Sequence, residues 1–418
     1  MALPLPTAGP DFSAPGFIVK VNGNEASAGI RSLIQEVEYE SAESMADIIR
    51  LTALDPPIQG KLLLRDSRVF QPGNTVSVLA GYGRQLRHLG GAIIKKIRPS
   101  YPRNGIPTME VIAYAKEVDM ADNAPKESIG SNGKGGRIFK DAWYSDAVEE
   151  RAYDYGFKID IDETPDNPHD FIQKAGLSDL DFIVGLSNLT GFLFWTDLDE
   201  NGDWWIHFKD PSKLAAADVQ ESEYTFTYND GDNTTLWSFE PELAITGAYT
   251  KMKAVTKDVK TGRLIEVEIE EDNNQAPDVL AEMGIGGDPL LGPAVGVSDN
   301  ALEGGHSTGS DVKLFLDDFS FDIHTSRQFR YGEEELESWL REWFRRNREN
   351  FVMGRGLSVG LESLMARQVH KLAGLGEGLN GKYYFSRVLH RIGKGGYECD
   401  WNARKVVPPV AAAIVTTR

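Results

Sequence analysis

The sequence predicts a mainly β protein carrying an α+β insert. Three observations lead there. Short apolar–polar runs separated by Gly, Pro and Asn turns fill residues 17–120. The period then switches from 2 to 3.6 and back over residues 137–215, and strand-like runs resume from about residue 220.

Residues 1–16 form a Pro/Ala-rich leader. The first β-region, 17–120, opens with Phe17–Val21, which meets Asn22-Gly23, a pair suited to the positive φ angles of a tight hairpin. Ile34–Tyr39, Thr75–Leu79, Ile93–Ile97 and Met109–Tyr114 follow as short strands, with turn residues at Pro72-Gly73-Asn74 and Tyr101–Gly105. Residues 121–136 read as a Gly-rich linker.

The 137–215 segment begins its helical part at Ser145, a candidate N-cap for a helix to Tyr155 that stops at Gly156. Lys158–Asp162 alternates like a strand. Ser178-Asp179-Leu180-Asp181 has the form of a capping box, with Phe182, Ile183, Leu186 and Leu189 as one apolar stripe ending at Gly191. A hairpin, Phe192–Thr196 returning as Trp204–Phe208, closes the segment.

The second β-region takes residues 220–271 and 311–408. Its strands are Tyr224–Tyr228, Ile245–Val255, Leu264–Ile269, Leu357–Leu361, Gln368–Leu372, Tyr383–Ile392 and Tyr397–Trp401. Residues 272–310 form a long polar loop, of the kind that is usually functional or disordered. A helix over 333–350 places Leu336, Trp339, Leu340, Trp343 and Phe344 on one face, with Glu333–Glu335 and Arg345, Arg346 and Arg348 matching its dipole ends.

Composition narrows the function. The 418 residues are 41% hydrophobic and 26% charged, normal for a soluble globular chain. Forty-four basic against 63 acidic residues give a net charge of −19, which disfavours stable nucleic-acid binding or docking on an anionic membrane. The one cysteine, Cys399, excludes an intrachain disulfide and reads as a quiet, half-buried thiol. Neither a signal peptide nor a run of about 20 apolar residues is evident, so membrane insertion is not expected.

Four patterns could carry chemistry. Asp197–Asp203 imitates the start of a calcium loop, but the twelfth position, which needs a bidentate Glu, is Phe208; Asn201-Gly202 reads better as a hairpin turn. Gly305-His306-Ser307-Thr308-Gly309 fits G-x-S-x-G without the strand-to-helix setting that activates the serine. Gly133-Lys134 is followed by Gly135, not by Ser or Thr, so it is no phosphate loop. Asp160/Asp162 and Asp317/Asp318 are pairs that an acidic chain produces by chance, and the seven histidines have no ligand spacing. No catalytic, cofactor-binding or metal residue is therefore assigned, and a non-enzymatic protein without cofactors is expected.

Taken in order, these segments resemble the late-control D family of phage tail proteins, the baseplate hubs related to the hub portion of type VI secretion spikes. The resemblance rests on Pro72–Val76 through Gly81-Tyr82, Gly90–Ile94 and Val111–Ala115; on Arg137-Ile138-Phe139 and Tyr155-Gly156-Phe157; on Ser178–Ile183 with Leu186 and Gly191; and on Leu375-Gly376, Gly381–Tyr384, Val388–His390 and Tyr397–Ala403. It implies two tail-tube-like β-barrels flanking a small α/β domain. It further implies a homotrimeric ring that adapts a six-fold tail tube to a three-fold spike and leaves a central channel. The implied partners are a separate spike protein, the tail tube or tube-initiator protein, the tape-measure protein and the baseplate wedge proteins. The place implied is the virion baseplate, assembled in the host cytoplasm. The spike is expected as a separate chain because Arg418 follows soon after the final strands. The acidic balance would suit a channel through which DNA passes. The competing expectation is a tail-associated cell-wall hydrolase or carbohydrate-binding accessory protein, since eight tryptophans permit sugar stacking.

Overall fold

The computed structural model describes residues 14–43, 45–83, 85–125, 136–164, 168–211, 224–243, 251–257, 264–270, 320–324, 336–337, 340, 352–376 and 379–406. Most of the leader, residues 126–135 of the linker, the 272–310 loop and all but Leu336, Glu337 and Leu340 of the 333–350 helix lie outside these residues. Those three residues are helical, and both leucines are buried.

The first β-region contains β1 (Pro15–Val21), β2 (Asn24–Glu25), β3 (Ile34–Ala42), β4 (Ile48–Leu54), β5 (Pro57–Ile58), β6 (Lys61–Leu62), β7 (Thr75–Tyr82), β8 (Gln85–Ser100) and β9 (Thr108–Tyr114), with short helices α1 (Ala28–Arg31) and α2 (Leu63–Ser67). A 3₁₀ turn over Lys116–Met120 leads into the insert. There β10 (Gly136–Ala142), α3 (Tyr144–Asp154), β11 (Lys158–Ile161), β12 (His169–Lys174), α4 (Asp179–Thr190), β13 (Leu193–Leu198) and β14 (Trp204–Lys209) follow. The remainder holds β15 (Thr225–Thr227), β16 (Leu236–Leu243), β17 (Lys251–Lys257), β18 (Leu264–Glu270), β19 (Ser320–His324), β20 (Val352–Val359), β21 (Gln368–Ala373), β22 (Gly381–Gly393) and β23 (Gly396–Lys405).

Local chemistry accounts for these elements. Asn22 and Gly23 take φ of 49° and 78°, so β1 turns directly into β2. Ser178 caps α4 by accepting from the Asp181 amide at 3.0 Å, and Gly191 ends it in the left-handed region. Phe182, Ile183 and Leu186 of α4 are buried, each burial contributing about 1.5–3 kcal/mol. The start of α3 differs from expectation. Ser145 lies inside the first turn and meets Thr164, while Asp146 accepts from the Trp143 amide at 2.9 Å to secure the N-terminus. An Asp in the first turn also complements the helix dipole.

The two β-regions are joined in one 13-stranded sheet of order β16-β20-β23-β22-β3-β4-β9-β8-β7-β1-β2. The fusion point is β22. Its first half pairs with β21 (Leu372↔Gly381), its second half pairs with β3 (Val388↔Ser41), and a bulge at Phe385/Arg387 separates the two on the β23 side. Strand β21 also pairs in parallel with β15, and Tyr228 bridges Leu236 at the start of β16. Strands β16, β20, β23, β22, β21 and β15 thus curl so that the chain after β15 returns to the start of β16 at this one bridge, while the rest of β16 has no described strand on that side. One continuous hydrophobic core runs under the whole sheet, from Val19 and Val76 to Phe385 and Trp401. The insert has its own core around Phe139, Val148, Phe182 and Phe208, with β13 paired to β14 and β14 pairing in parallel with β11. Strands β18, β17 and β19 form a separate three-stranded sheet.

Candidate functional site

The residues that sequence motifs single out are structural where they can be seen. Asp199 sits in the β13–β14 turn and accepts from the amides of Asn201 and Asp203 and from Trp205 Nε1. Those donors, the Asp203 amide foremost, hold its carboxyl down at about 2. Phe208, at the position a calcium loop would close, is fully buried. Asp160 and Asp162 both accept from Lys209 Nζ, at 2.7 and 3.0 Å, and clasp β11 to the end of β14. Burial would raise Asp160, but bonds from Lys209 and His207 outweigh it and hold its pKa down. Gly305–Gly309, Gly133-Lys134 and Asp317/Asp318 lie outside the described residues. Cys399 is wholly buried rather than half-buried, since its strand faces the core on that side, and burial pushes its thiol up to about 12. A thiol so poised is no nucleophile. Among the described residues no cluster of three His, Cys, Asp or Glu could hold a metal ion.

What the fold does assemble is a charged sheet face. Period-2 alternation turns Val37, Tyr39, Val388, His390, Cys399 and Trp401 into the core and their neighbours outward. The outward rows change sign from strand to strand. Strand β16 presents Glu240 and Glu242, β20 presents Arg355, and β23 presents Glu398 and Asp400. Strand β22 presents Arg387 and Arg391, and β3 presents Glu36, Glu38 and Glu40. Arg50 on β4, Glu110 on β9, and Lys96 and Arg98 on β8 complete the series. Arg404, at the end of β23, departs from the pattern and turns to Glu43 at 2.8 Å.

Register makes these rows into ion pairs. Glu240 stands opposite Arg355, Arg391 opposite both Glu398 and Glu38, Glu38 opposite Arg50, and Arg98 opposite Glu110. Arg355 binds Asp400 with two nitrogens, and Arg391 lies 3.5 Å and Arg387 3.7 Å from the same carboxylate. Arg387 Nε donates to Glu40 at 2.6 Å, Arg50 reaches Glu40 at 3.2 Å, and Arg98 reaches Glu110 at 3.2 Å. Asp400 and Glu40 are almost wholly covered, whereas Arg355 is largely exposed. Cross-strand opposite charges each contribute a fraction of a kcal/mol, and a network holds them in register. Alternating Glu36, Glu38 and Glu40, or Arg387 and Arg391, could have been read from sequence; their pairing across 347 positions could not.

A second polar cluster ties this sheet to the insert. Tyr39 donates to Asp47 at 2.6 Å, Thr196 of β13 donates to Glu117, and Arg367 stacks over Trp195 at 4.7 Å. Burial raises Glu117 to about 8 and Asp47 to about 6, with Asp47 adding to the rise at Glu117. His88 meets the Leu198 carbonyl at 2.7 Å, and the Leu198 side chain fills the space above Gly91, where a Cβ would stand 2.3 Å from it.

A family model described as the Alg8 N-terminal domain matches residues 13–283. The chain belongs to this family. No curated protein sequence matches it. Among solved structures, the 43 kDa tail protein of prophage MuSo2 from Shewanella oneidensis aligns at 12% identity and a TM-score of 0.59, over 94% of this chain and 98% of that one. A tail protein of Neisseria meningitidis aligns at 10% identity and 0.59, covering 94% and 97%. A component of the Escherichia coli type VI secretion system, described as similar to tail proteins of bacteriophage T4, aligns at 10% identity and 0.51, covering 96% and 80%. This member of the family therefore has the mainly antiparallel β fold of phage tail proteins. No helix among the described residues is long and apolar enough to cross a membrane.

Proposed function

We propose that this chain is a structural baseplate hub of a contractile phage tail or a tail-like injection system. Three copies form a ring that joins a six-fold tail tube to a three-fold spike and surrounds a central channel. The observation that carries the proposal is the fusion of two β-regions into one sheet whose outer face is ion-paired and whose inner face is core. A wall built this way is stiff, because β22 is shared between the two halves, and wet on one side. The charged face lines the channel. Its rows hold eight carboxylates against five arginines and one lysine, so the wall keeps the chain's acidic excess while most of its charges stand in opposed pairs. The partners are a separate spike protein, the tail tube or its initiator, the tape-measure protein and the wedge proteins, and the location is the virion.

The competing role as a hydrolase or sugar-binding accessory gains no support from the described tryptophans. Trp401 is buried, Trp195 stacks on His207 and Trp205 is held by Asp199, while Trp237 is exposed singly. Multi-angle light scattering of the purified chain, alone and with its spike, tests the proposal. A trimer inert on cell-wall preparations is expected; a monomer that clears peptidoglycan overturns it.

A further inference from the structure

The charged face has two ends, and they differ in sign. At one end β16 pairs with β20 along its length, and on its other side the described residues offer only the single bridge at Leu236. This edge carries Glu240 and Glu242. At the other end β8 outruns its neighbour: pairing with β7 stops at Thr75↔Ile93, while pairing with β9 continues to Ser100. Beyond Ile94, whose amide and carbonyl meet Asn74 and Gly73, one side of β8 therefore has no described strand against it, and this edge carries Lys96 and Arg98.

We propose that these two edges are the contact between copies of this chain, the acidic β16 edge of one against the basic β8 edge of the next. This rests on the hub reading and specifies how its ring closes. A neighbour placed so would continue the alternation of sign without a break, from Lys96 and Arg98 of one copy to Glu240 and Glu242 of the other. A two-fold contact made through a single edge would instead set β8 against β8 or β16 against β16, with like charges facing. The edges thus select a head-to-tail contact, the kind that closes into a ring when the rotation allows. Each edge also has exposed apolar surface beside it, Trp237 on β16 and Tyr101 and Ile106 in the turn after β8. Pro99 and Pro241 remove one backbone donor from each edge. Side-chain complementarity therefore supplies the selectivity, while a non-cognate strand meets an edge that pairs poorly.

The test compares three full-length variants with the natural chain by sedimentation equilibrium at low and moderate salt. Lys96→Glu with Arg98→Glu reverses one edge, Glu240→Lys with Glu242→Lys reverses the other, and the fourfold variant reverses both. Each single-edge reversal should weaken association by roughly a hundredfold, and the fourfold variant should recover most of it. All four positions are on the outer face, and far-UV circular dichroism checks that each variant folds. If the natural chain is trimeric and the folded reversals associate equally well, the edge assignment fails and the hub reading stands. Failure of the folded fourfold variant to recover also overturns it. A natural chain that stays monomeric at all concentrations overturns the hub reading and this contact with it.

Discussion

Replacing Asp400 by Asn should cost about 2 kcal/mol at neutral pH. Asp400 is almost wholly covered and accepts two bonds from Arg355, with Arg391 and Arg387 within 3.7 Å. Removing one member of a fully buried pair costs roughly 3–5 kcal/mol, while exposed pairs contribute under about 1 kcal/mol. The arginine side chains are 64%, 32% and 26% exposed, which places this network between those limits. With a urea dependence of roughly 3 kcal/mol per molar, the midpoint should fall by about 0.7 M at unchanged slope. The pH dependence gives a second reading. Burial by itself would raise this carboxyl, but Arg355 and the two further arginines hold it below the usual 3.8. A depressed folded pKa contributes stability above the unfolded value and loses it as pH falls through the folded one. The gap between natural chain and variant should therefore narrow in acid. A midpoint shift below about 0.2 M, or a gap that widens in acid, refutes the role assigned to the network.

Three further outcomes follow from the packing. Gly356→Ala should destabilise by about 1–3 kcal/mol in the same urea assay, because a Cβ there would stand 2.3 Å from the ring of Trp401. Glu117→Gln should flatten the loss of thermal stability with rising pH. A carboxyl raised to about 8 contributes most below the unfolded value near 4.5 and loses that contribution as pH climbs through 8, which differential scanning calorimetry from pH 5 to 9 would follow. Excess calcium should leave the melting temperature unchanged, since the Asp199 oxygens are already taken by the turn; a rise would revive the calcium-loop reading.

Much of the secondary structure was legible because periodicity and punctuation agree. The Asn22-Gly23 turn, the cap at Ser178 and the long terminal strands all formed where propensity and pattern pointed the same way. Strands β4 and β16 carry no such agreement. In β4 only Arg50 and Thr52 break the apolar run Ile48–Leu54, so its alternation is short and weak, and β16 contains Pro241, which argues against a strand unless it lies at an edge. The charged face was invisible for another reason. Its rows come from eight strands spread across the chain, and only the β3–β22 pairing brings Glu38 beside Arg391. Local sequence carries the sign of each row and leaves the order of the rows open.

Sharing β22 between the two halves has a consequence for biogenesis. Residues 34–114 leave the ribosome well before Gly381–Gly393 exists, so β3 must wait with one flank bare while most of the polypeptide is still being made. Loop closure over that span is slow, and an unpaired strand is an invitation to aggregation. Nascent chains stalled before residue 381 should thus need chaperone protection that the finished product does not.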